Sequence, residues 1–250
     1  MLNMAENRIF IGIDDTDTQT SKGTGYLSRE LAKQIESNNL GKVVNITRHQ
    51  LFISDKIKYT NRNNSACIEV LTSQKDSLIL FCREMVLSTT HPESQPVIVY
   101  ADAKSVAQNI IDFGCKAKTS IIKINEAIKL AEESGLVIDV LRSDKNGIIG
   151  AIAAIGLRTT GNDGRAIWVN GYEINGLTGT YMVGEVYSRT HVDAIKTIDG
   201  YKIPTNASIN FENKRIQPVL KDNTITFLVE EINNDQNESI ICTSFKASLN

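Results

Sequence analysis

Three carboxylates fall within four residues, at Asp14, Asp15 and Asp17. Where a buried strand ends, such a cluster repels itself unless a cation or strong hydrogen-bond donors balance it. Magnesium suits the cluster, because it takes hard oxygen ligands, commonly one or two carboxylates completed by substrate phosphates and water. Asp14 and Asp17 are the preferred metal ligands with Asp15 beside them, and spacing alone does not fix which of the three touches the ion. Immediately downstream, Ser21-Lys22-Gly23-Thr24-Gly25 leads into a helical pattern from Tyr26. The backbone N–H groups around Gly23 and Gly25 then sit at the positive end of a helix, which suits phosphate. Lys22 can neutralise a terminal phosphate, and the Thr24 hydroxyl can ligate metal or accept and pass on a phosphoryl group. The chemistry implied is phosphoryl transfer from Mg²⁺-ATP. On residue types alone, an equally good reading makes these aspartates turn-formers and helix caps.

Other motifs fit less well. An EF-hand needs glycine where Thr20 stands and a bidentate glutamate where Tyr26 stands. A dinucleotide fingerprint fails because Ser28 replaces its third glycine. The stretch has no Walker A sequence.

The elements that must position these residues follow from periodicity. Arg8 to Ile13 (RIFIGI) is a compact apolar run that stops at DDTDTQTSKGTG, so a buried strand delivers the acidic residues to a loop. Leu27, Leu31, Ala32 and Ile35 lie at helical spacing behind the loop. Lys42 to Thr47, Ala66 to Thr72 and Val97 to Tyr100 read as strands, and Asp76 to Val86 and Lys104 to Ile111 as helices. This alternation indicates an α/β to α+β fold. Asn125 to Gly135 reads as a capped helix with Asn125 as N-cap and Gly135 as stop. Leu136 to Leu141 reads as a strand. Gly147 to Leu157, apolar on every side, predicts a helix pressed against a sheet. Ala166 to Val169, Thr180 to Tyr187 and Thr224 to Glu230 read as further strands. Asn233 to Glu238 reads as a turn, with a fraying tail after it.

Composition narrows the class. The 250 residues, 41% hydrophobic and 22% charged, describe a globular chain with room for two modest units. A net charge of −2 offers no general attraction for nucleic acid, so any RNA contact must be local. The cysteines Cys67, Cys82, Cys115 and Cys242 are scattered without a CxxC pair, which predicts buried apolar packing rather than zinc. No apolar run is long enough for a membrane span or signal peptide, so the expected location is the cytoplasm. His49, His91 and His191 stand alone in sequence. Tyr187, Arg189 and Asp193 are candidates to line a groove between two units.

The stretch Gly12 to Leu27, GIDDTDTQTSKGTGYL, resembles the opening of the archaeal isoleucine tRNA agmatidine synthetases, the TiaS family. Ile57 to Ala66 (IKYTNRNNSA) resembles that family's second signature through Tyr59, Arg62 and Asn64, and Lys145 to Gly156 (KNGIIGAIAAIG) resembles a third. The resemblance implies a kinase-like ATP- and Mg-binding unit at 7–135, a ferredoxin-like α+β unit at 136–232 and a tail at 233–250, with interleaving of the units open. It also implies that ATP activates a nucleobase oxygen for attack by an amine. By position, Asp14, Asp15 and Asp17 would hold the magnesium triphosphate, and Thr24 falls at the family's phosphorylatable threonine. Arg62 would steady transition-state charge, with Tyr59, Asn64 and Gly147 lining the nucleotide. For Gly147 and Gly150, close helix packing is the stronger expectation.

The chain ends at Asn250 without room for the family's OB-fold and zinc ribbon, so RNA capture is expected to need a partner protein. Lys58 stands where the family has proline, and Asn63 and Ser65 replace a glycine-rich step. The acceptor is therefore left open between an RNA nucleobase and a small molecule. A nucleotide-binding regulatory subunit without acceptor chemistry is the alternative function.

Overall fold

The computed structural model describes residues 6–60, 62–212, 216–234 and 237–241. Its first strand, β1 (Asn7–Asp14), turns Ile9, Ile11 and Ile13 to one face of the sheet and Phe10 to the other, and both faces are buried. That explains the unbroken apolar run. Then come α1 (Thr24–Ser37), β2 (Lys42–Gln50), β3 (Asn64–Thr72), α2 (Lys75–Thr89) and β4 (Val97–Asp102). These strands lie in the order β4-β1-β3-β2 with every neighbouring pair antiparallel. A βαββαβ chain in that order has the split βαβ, or ferredoxin-like, connectivity. This connectivity occupies residues 7–102. Pairs such as Ile11 with Ile68 and Ile11 with Tyr100 set the order, and hydrophobic periodicity carries no register.

Helices α1 and α2 cover one face, packing Leu31, Ile35, Leu78 and Val86 against the odd residues of β1. The other face takes α3 (Gln108–Ala117), α4 (Ile124–Ser134) and α5 (Gly147–Thr159), while β5 (Val137–Val140) pairs with β4 at the sheet edge. Residues 137–159 therefore pack with elements that precede residue 135. Helix α5 is apolar all round because the sheet lies beneath it and α3 beside it. A Cβ on Gly12 would stand 2.0 Å from the Ala151 carbonyl oxygen, and one on Gly156 2.1 Å from that of Ile110. Helix α3 starts later than Lys104, because Asp102 first caps a turn by accepting the Lys104 backbone N–H at 2.9 Å. Lys123, not Asn125, is the N-cap of α4, and Gly135 ends it with φ 64° as expected.

Strand β6 (Arg165–Val169) pairs antiparallel with the free edge of β2 and carries the sheet onward. Beyond it lie β7 (Tyr172–Glu173), β8 (Thr180–Met182), α6 (Val183–Thr190), β9 (Ala194–Thr197), β10 (Ser208–Asn210), β11 (Val219–Lys221), β12 (Thr224–Asn234) and β13 (Asn237–Ile241). They enclose a separate core around Val186, Ile195, Phe211 and Phe227. The strand expected over Thr180 to Tyr187 is corrected: only three residues are extended before α6 begins. Glu185 accepts the Met182 backbone N–H at 2.9 Å, a side-chain cap that closes the first helical turn. The turn and fraying expected from Asn233 are corrected in part, because Asn233 and Glu238 pair across the β12–β13 hairpin. Residues 242–250, with Cys242, lie outside the described residues.

Two buried polar networks tie helices to the sheet. Glu69, fully buried on β3, is shared by Arg8 and Arg158 and accepts Asn45 Nδ2 at 2.7 Å. His49, also fully buried, joins Thr47 Oγ1 through Nε2 and Asp163 Oδ1 through Nδ1, each at 2.8 Å, and Lys118 pairs with the same carboxylate. His49 thus has partners far away in sequence, in a Thr-His-Asp arrangement. Complete burial of Thr47 and His49 gives it a structural role. Cys67 and Cys82 are buried as expected, whereas Cys115 is exposed.

Candidate functional site

β1 delivers Asp14 to the end of the sheet, and the chain turns at once, with Asp15 in the left-handed region at φ 57°, a conformation Asp tolerates better than most residues. The turn is pinned by the Gln95 N–H donating to the Asp15 carbonyl at 3.0 Å and by the Thr18 N–H donating to Ser21 Oγ at 2.7 Å. α1 then starts from Gly23, and α5 starts from Asn146 on the opposite face; neither N-cap residue makes a side-chain capping bond. Both helix N-termini open onto one cavity of about 760 Å³, and Asp14, Asp15 and Asp17 line it with them. Unsatisfied first-turn N–H groups and the positive ends of two helix dipoles favour an anion there.

The glycines of α5 make the convergence sterically feasible. A Cβ on Gly150 would lie 1.7 Å from Asp14 Oδ2, and one on Gly147 would lie 2.9 Å from the Asp15 Cβ. Close packing is therefore what Gly147 and Gly150 supply, and it is packing of the helix start against the carboxylates themselves.

The electrostatics leave the aspartates short of positive charge. Burial holds the Asp14 carboxyl well above the ordinary carboxylate range; the Asp15 N–H, donating at 2.9 Å, draws it down, and Asp15 and Asp17 push it up again. Asp15 is pushed up to about 6, by burial first and then by Asp144 and Asp17, against the pull of Lys58. Asp17 is raised by burial and drawn back by hydrogen bonds from Thr60, at 2.9 Å, and Thr24. Thr24 is 8% exposed, and its hydroxyl accepts that of Thr16 at 3.0 Å.

Among the described residues, no three His, Cys, Asp or Glu side chains converge as a metal site. The three aspartates thus share a cavity without forming a cage, since Asp17 is engaged by hydroxyls and Asp15 faces Asp144 and Lys58. The donor set still fits magnesium held by one or two carboxylates with phosphate oxygens, and Asp14, partly buried and accepting one hydrogen bond among the described residues, is the carboxylate most in need of a cation.

Of the residues singled out in the sequence, Asp14, Asp15, Asp17, Gly23, Thr24, Gly25, Tyr59, Arg62, Asn64 and Gly147 line this cavity. Lys22 does not: its ammonium lies over the Tyr26 ring, 4.0 Å from the centroid, and faces a second cleft between α1 and α2. Tyr187, Arg189 and Asp193 line neither cavity. The Tyr187 hydroxyl accepts the Ile195 N–H, Asp193 accepts the Ile225 N–H, and Arg189 covers the Tyr181 ring. The sequence reading missed Arg48, Lys56, Thr60 and Lys123, which complete the polar wall with Lys58. Ser65, like Lys58 a departure within the second signature, is a buried hydroxyl without a hydrogen-bond partner among the described residues and lines the same cavity. Thr60 lies inside the second signature and Lys56 directly before it, so that stretch held the signal; Arg48 and Lys123 come from elsewhere in the chain.

The fold and site define a mixed α/β protein, its sheet mostly antiparallel, whose acidic strand end meets two helix N-termini. No protein-family model matches the chain. An uncharacterised protein of Methanocaldococcus jannaschii is 30% identical over 151 residues, which is 60% of this chain and 50% of that protein. The isoleucine-tRNA 2-agmatinylcytidine synthetase TiaS of Pyrococcus horikoshii is 28% identical over 158 residues, 59% of this chain and 35% of the enzyme. The crystal structure of a complex of TiaS with its isoleucine tRNA and ATP matches with a TM-score of 0.54 at 25% identity, covering 60% of this chain and 36% of that one. The chain thus spans half or less of the length of these curated relatives. Over that shared stretch it is TiaS-like. Among the described residues no helix is long and apolar enough to cross a membrane.

Proposed function

We propose that this chain is an ATP- and Mg²⁺-dependent phosphoryl-transfer enzyme resembling tRNA agmatidine synthetase. In this reading it activates an oxygen on an acceptor, a nucleobase in tRNA or a nucleotide, or a small molecule, for nucleophilic attack. One observation carries the proposal: a partly buried, cation-deficient carboxylate at Asp14 shares a cavity with the N-termini of α1 and α5. Its TiaS relatives, one of them solved with an isoleucine tRNA and ATP, favour the same chemistry.

Asp14, with Asp15 or Asp17, would hold the cation, and the backbone N–H groups from Gly23 to Gly25 and around Gly147 would cradle the phosphates. Magnesium bound there supplies charge neutralisation along the triphosphate. Lys58 and Arg62 offer cations to the transferred group, Arg62 in the forked geometry that suits phosphate oxygens. Thr24 is set to receive or relay a phosphoryl group: Thr16 donates to its oxygen, and its own proton is directed at the Asp17 carboxylate. Tyr59 and Asn64 would line the nucleotide. The kinase-like role falls to the unit that opens at residue 7, and an RNA acceptor would be delivered in the cytoplasm with the help of a partner protein.

Incubation with Mg²⁺-ATP and candidate acceptors, tRNA and free nucleosides among them, should yield AMP or ADP. Asp14→Asn should abolish product while leaving the circular dichroism unchanged. Tight ATP binding with no product from any acceptor would overturn the enzyme reading in favour of a regulatory subunit.

A further inference from the structure

The wall of the cavity also carries positive charge. Arg48 on β2 and Arg165 on β6 are direct cross-strand partners in antiparallel register. Like charges placed directly opposite one another destabilise a sheet, so an unrelieved pair of this kind needs an explanation. Arg48 and Arg62 line the cavity, and among the described residues none of Arg48, Arg62 and Arg165 has an acidic partner within ion-pair distance. A fourth guanidinium stands close by: a Cβ on Gly25 would be 3.9 Å from Arg48 Cδ and 3.8 Å from Arg29 Nη1. Arg29 is satisfied by Glu173 at 2.8 Å, but that carboxylate also serves Lys33 at 3.3 Å.

We propose that Arg48 in the cavity wall and its cross-strand partner Arg165 form an anion subsite that takes a phosphate group of the acceptor, apart from the carboxylates that take the metal and nucleotide. The assignment of the nucleotide to the aspartates rests on the function proposed above. The aspartates seek a cation and the arginines seek an anion, and a guanidinium fork matches phosphate oxygens in pairs. Arg48 is half-buried and held below its ordinary range, first by burial and then by Arg165, Arg62 and Arg29, as a cationic site poised for a counterion should be. A chain of net charge −2 that sets two arginines without acidic partners opposite each other, one of them in a cavity wall, has a local, not a general, affinity for phosphate.

The test compares the wild type with Arg48→Met, Arg165→Met and the double variant, using as probes a short single-stranded RNA of mixed sequence and inorganic phosphate, both without metal, and separately Mg²⁺-ATP. The double variant should bind the RNA at least about tenfold more weakly, and the slope of log affinity against log salt should fall by about two phosphate contacts. Mg²⁺-ATP affinity should hold, and the variants, relieved of the like-charge pair, should melt no lower than the wild type. Loss of phosphate binding with no RNA binding in any form would assign the subsite to a single phosphate on a small acceptor. Unchanged binding of both probes would overturn the proposal, as would Mg²⁺-ATP affinity falling in parallel with probe binding, which would give the arginines to the nucleotide's own tail. A wild type that takes the probes as stated but not Mg²⁺-ATP would remove the nucleotide reading and leave the anion subsite standing.

Discussion

Gly150→Ala separates the site from the scaffold more cleanly than any other single change. The new methyl would lie 1.7 Å from Asp14 Oδ2 and 2.6 Å from Cγ. An ordinary nonbonded separation is about 3.5 Å, so the carboxylate must retreat by roughly 2 Å. The clash is with the end of a side chain, and Asp14 can relieve it by rotating away from α5. Alanine in place of glycine favours a helix by about 1 kcal/mol, against an overpacking cost of about 1–3 kcal/mol, so stability should change by about 2 kcal/mol at most. Displacing a catalytic group by about 1 Å can cost on the order of a hundredfold, and the loss of metal-dependent ATP binding should be of that order. Gly156→Ala is the control. Its methyl would meet the Ile110 backbone oxygen at 2.1 Å, forcing α3 and α5 apart, so it should lower the unfolding midpoint while sparing ATP affinity in the folded fraction. Isothermal titration of Mg²⁺-ATP alongside urea unfolding reads both quantities. Wild-type ATP affinity in folded Gly150→Ala would refute the placement of the metal-bound nucleotide against Asp14.

Three other perturbations test the supporting structure. Glu69→Gln leaves the buried Arg158 without its counter-charge and should cost about 3–5 kcal/mol in urea unfolding; a loss below about 1 kcal/mol would mean the network contributes little. His49 is held below its ordinary range, chiefly by burial. The unfolded chain takes up that proton below about pH 6.5 while the native state resists, so the His49 contribution is complete above that pH and is lost as pH falls. The wild type should therefore lose its stability margin over His49→Gln between about pH 7 and 5, the opposite-signed contributions of Asp14 and Asp15 cancelling in the difference; parallel profiles would contradict this. Thr24→Ala should bind Mg²⁺-ATP within about threefold of the wild type yet lose turnover by at least about a hundredfold, with Thr24→Ser partly active; full turnover in Thr24→Ala would remove the relay.

The site was legible where it is contiguous. Asp14, Asp15, Asp17 and the Gly23–Gly25 turn are neighbours in sequence, and a strand that stops abruptly before a helix fixes their surroundings. Arg48 and Arg165 were not legible, because their pairing depends on β6 joining the edge of β2, a register that no local pattern encodes. Lys22 was misplaced for a related reason: the loop that carries it turns its side chain over Tyr26, toward α2. Among the elements, α5 was readable because a helix enclosed by a sheet and another helix must be apolar all round. The order β4-β1-β3-β2 was not legible, because periodicity reveals strands and helices but not their order. Thr180 to Tyr187 looked extended from its β-branched and aromatic residues, yet the Glu185 cap and the spacing of Val183, Val186 and Thr190 hold most of it helical.

The central claim is that the charge of Asp14 is balanced by a divalent ion carrying a nucleotide. Calorimetric titration of ATP into the wild type and Asp14→Asn, each with and without magnesium, tests it directly. Heat that requires both magnesium and Asp14 is the expected result. Folded wild-type protein that takes up ATP equally with or without magnesium, or not at all, would contradict it.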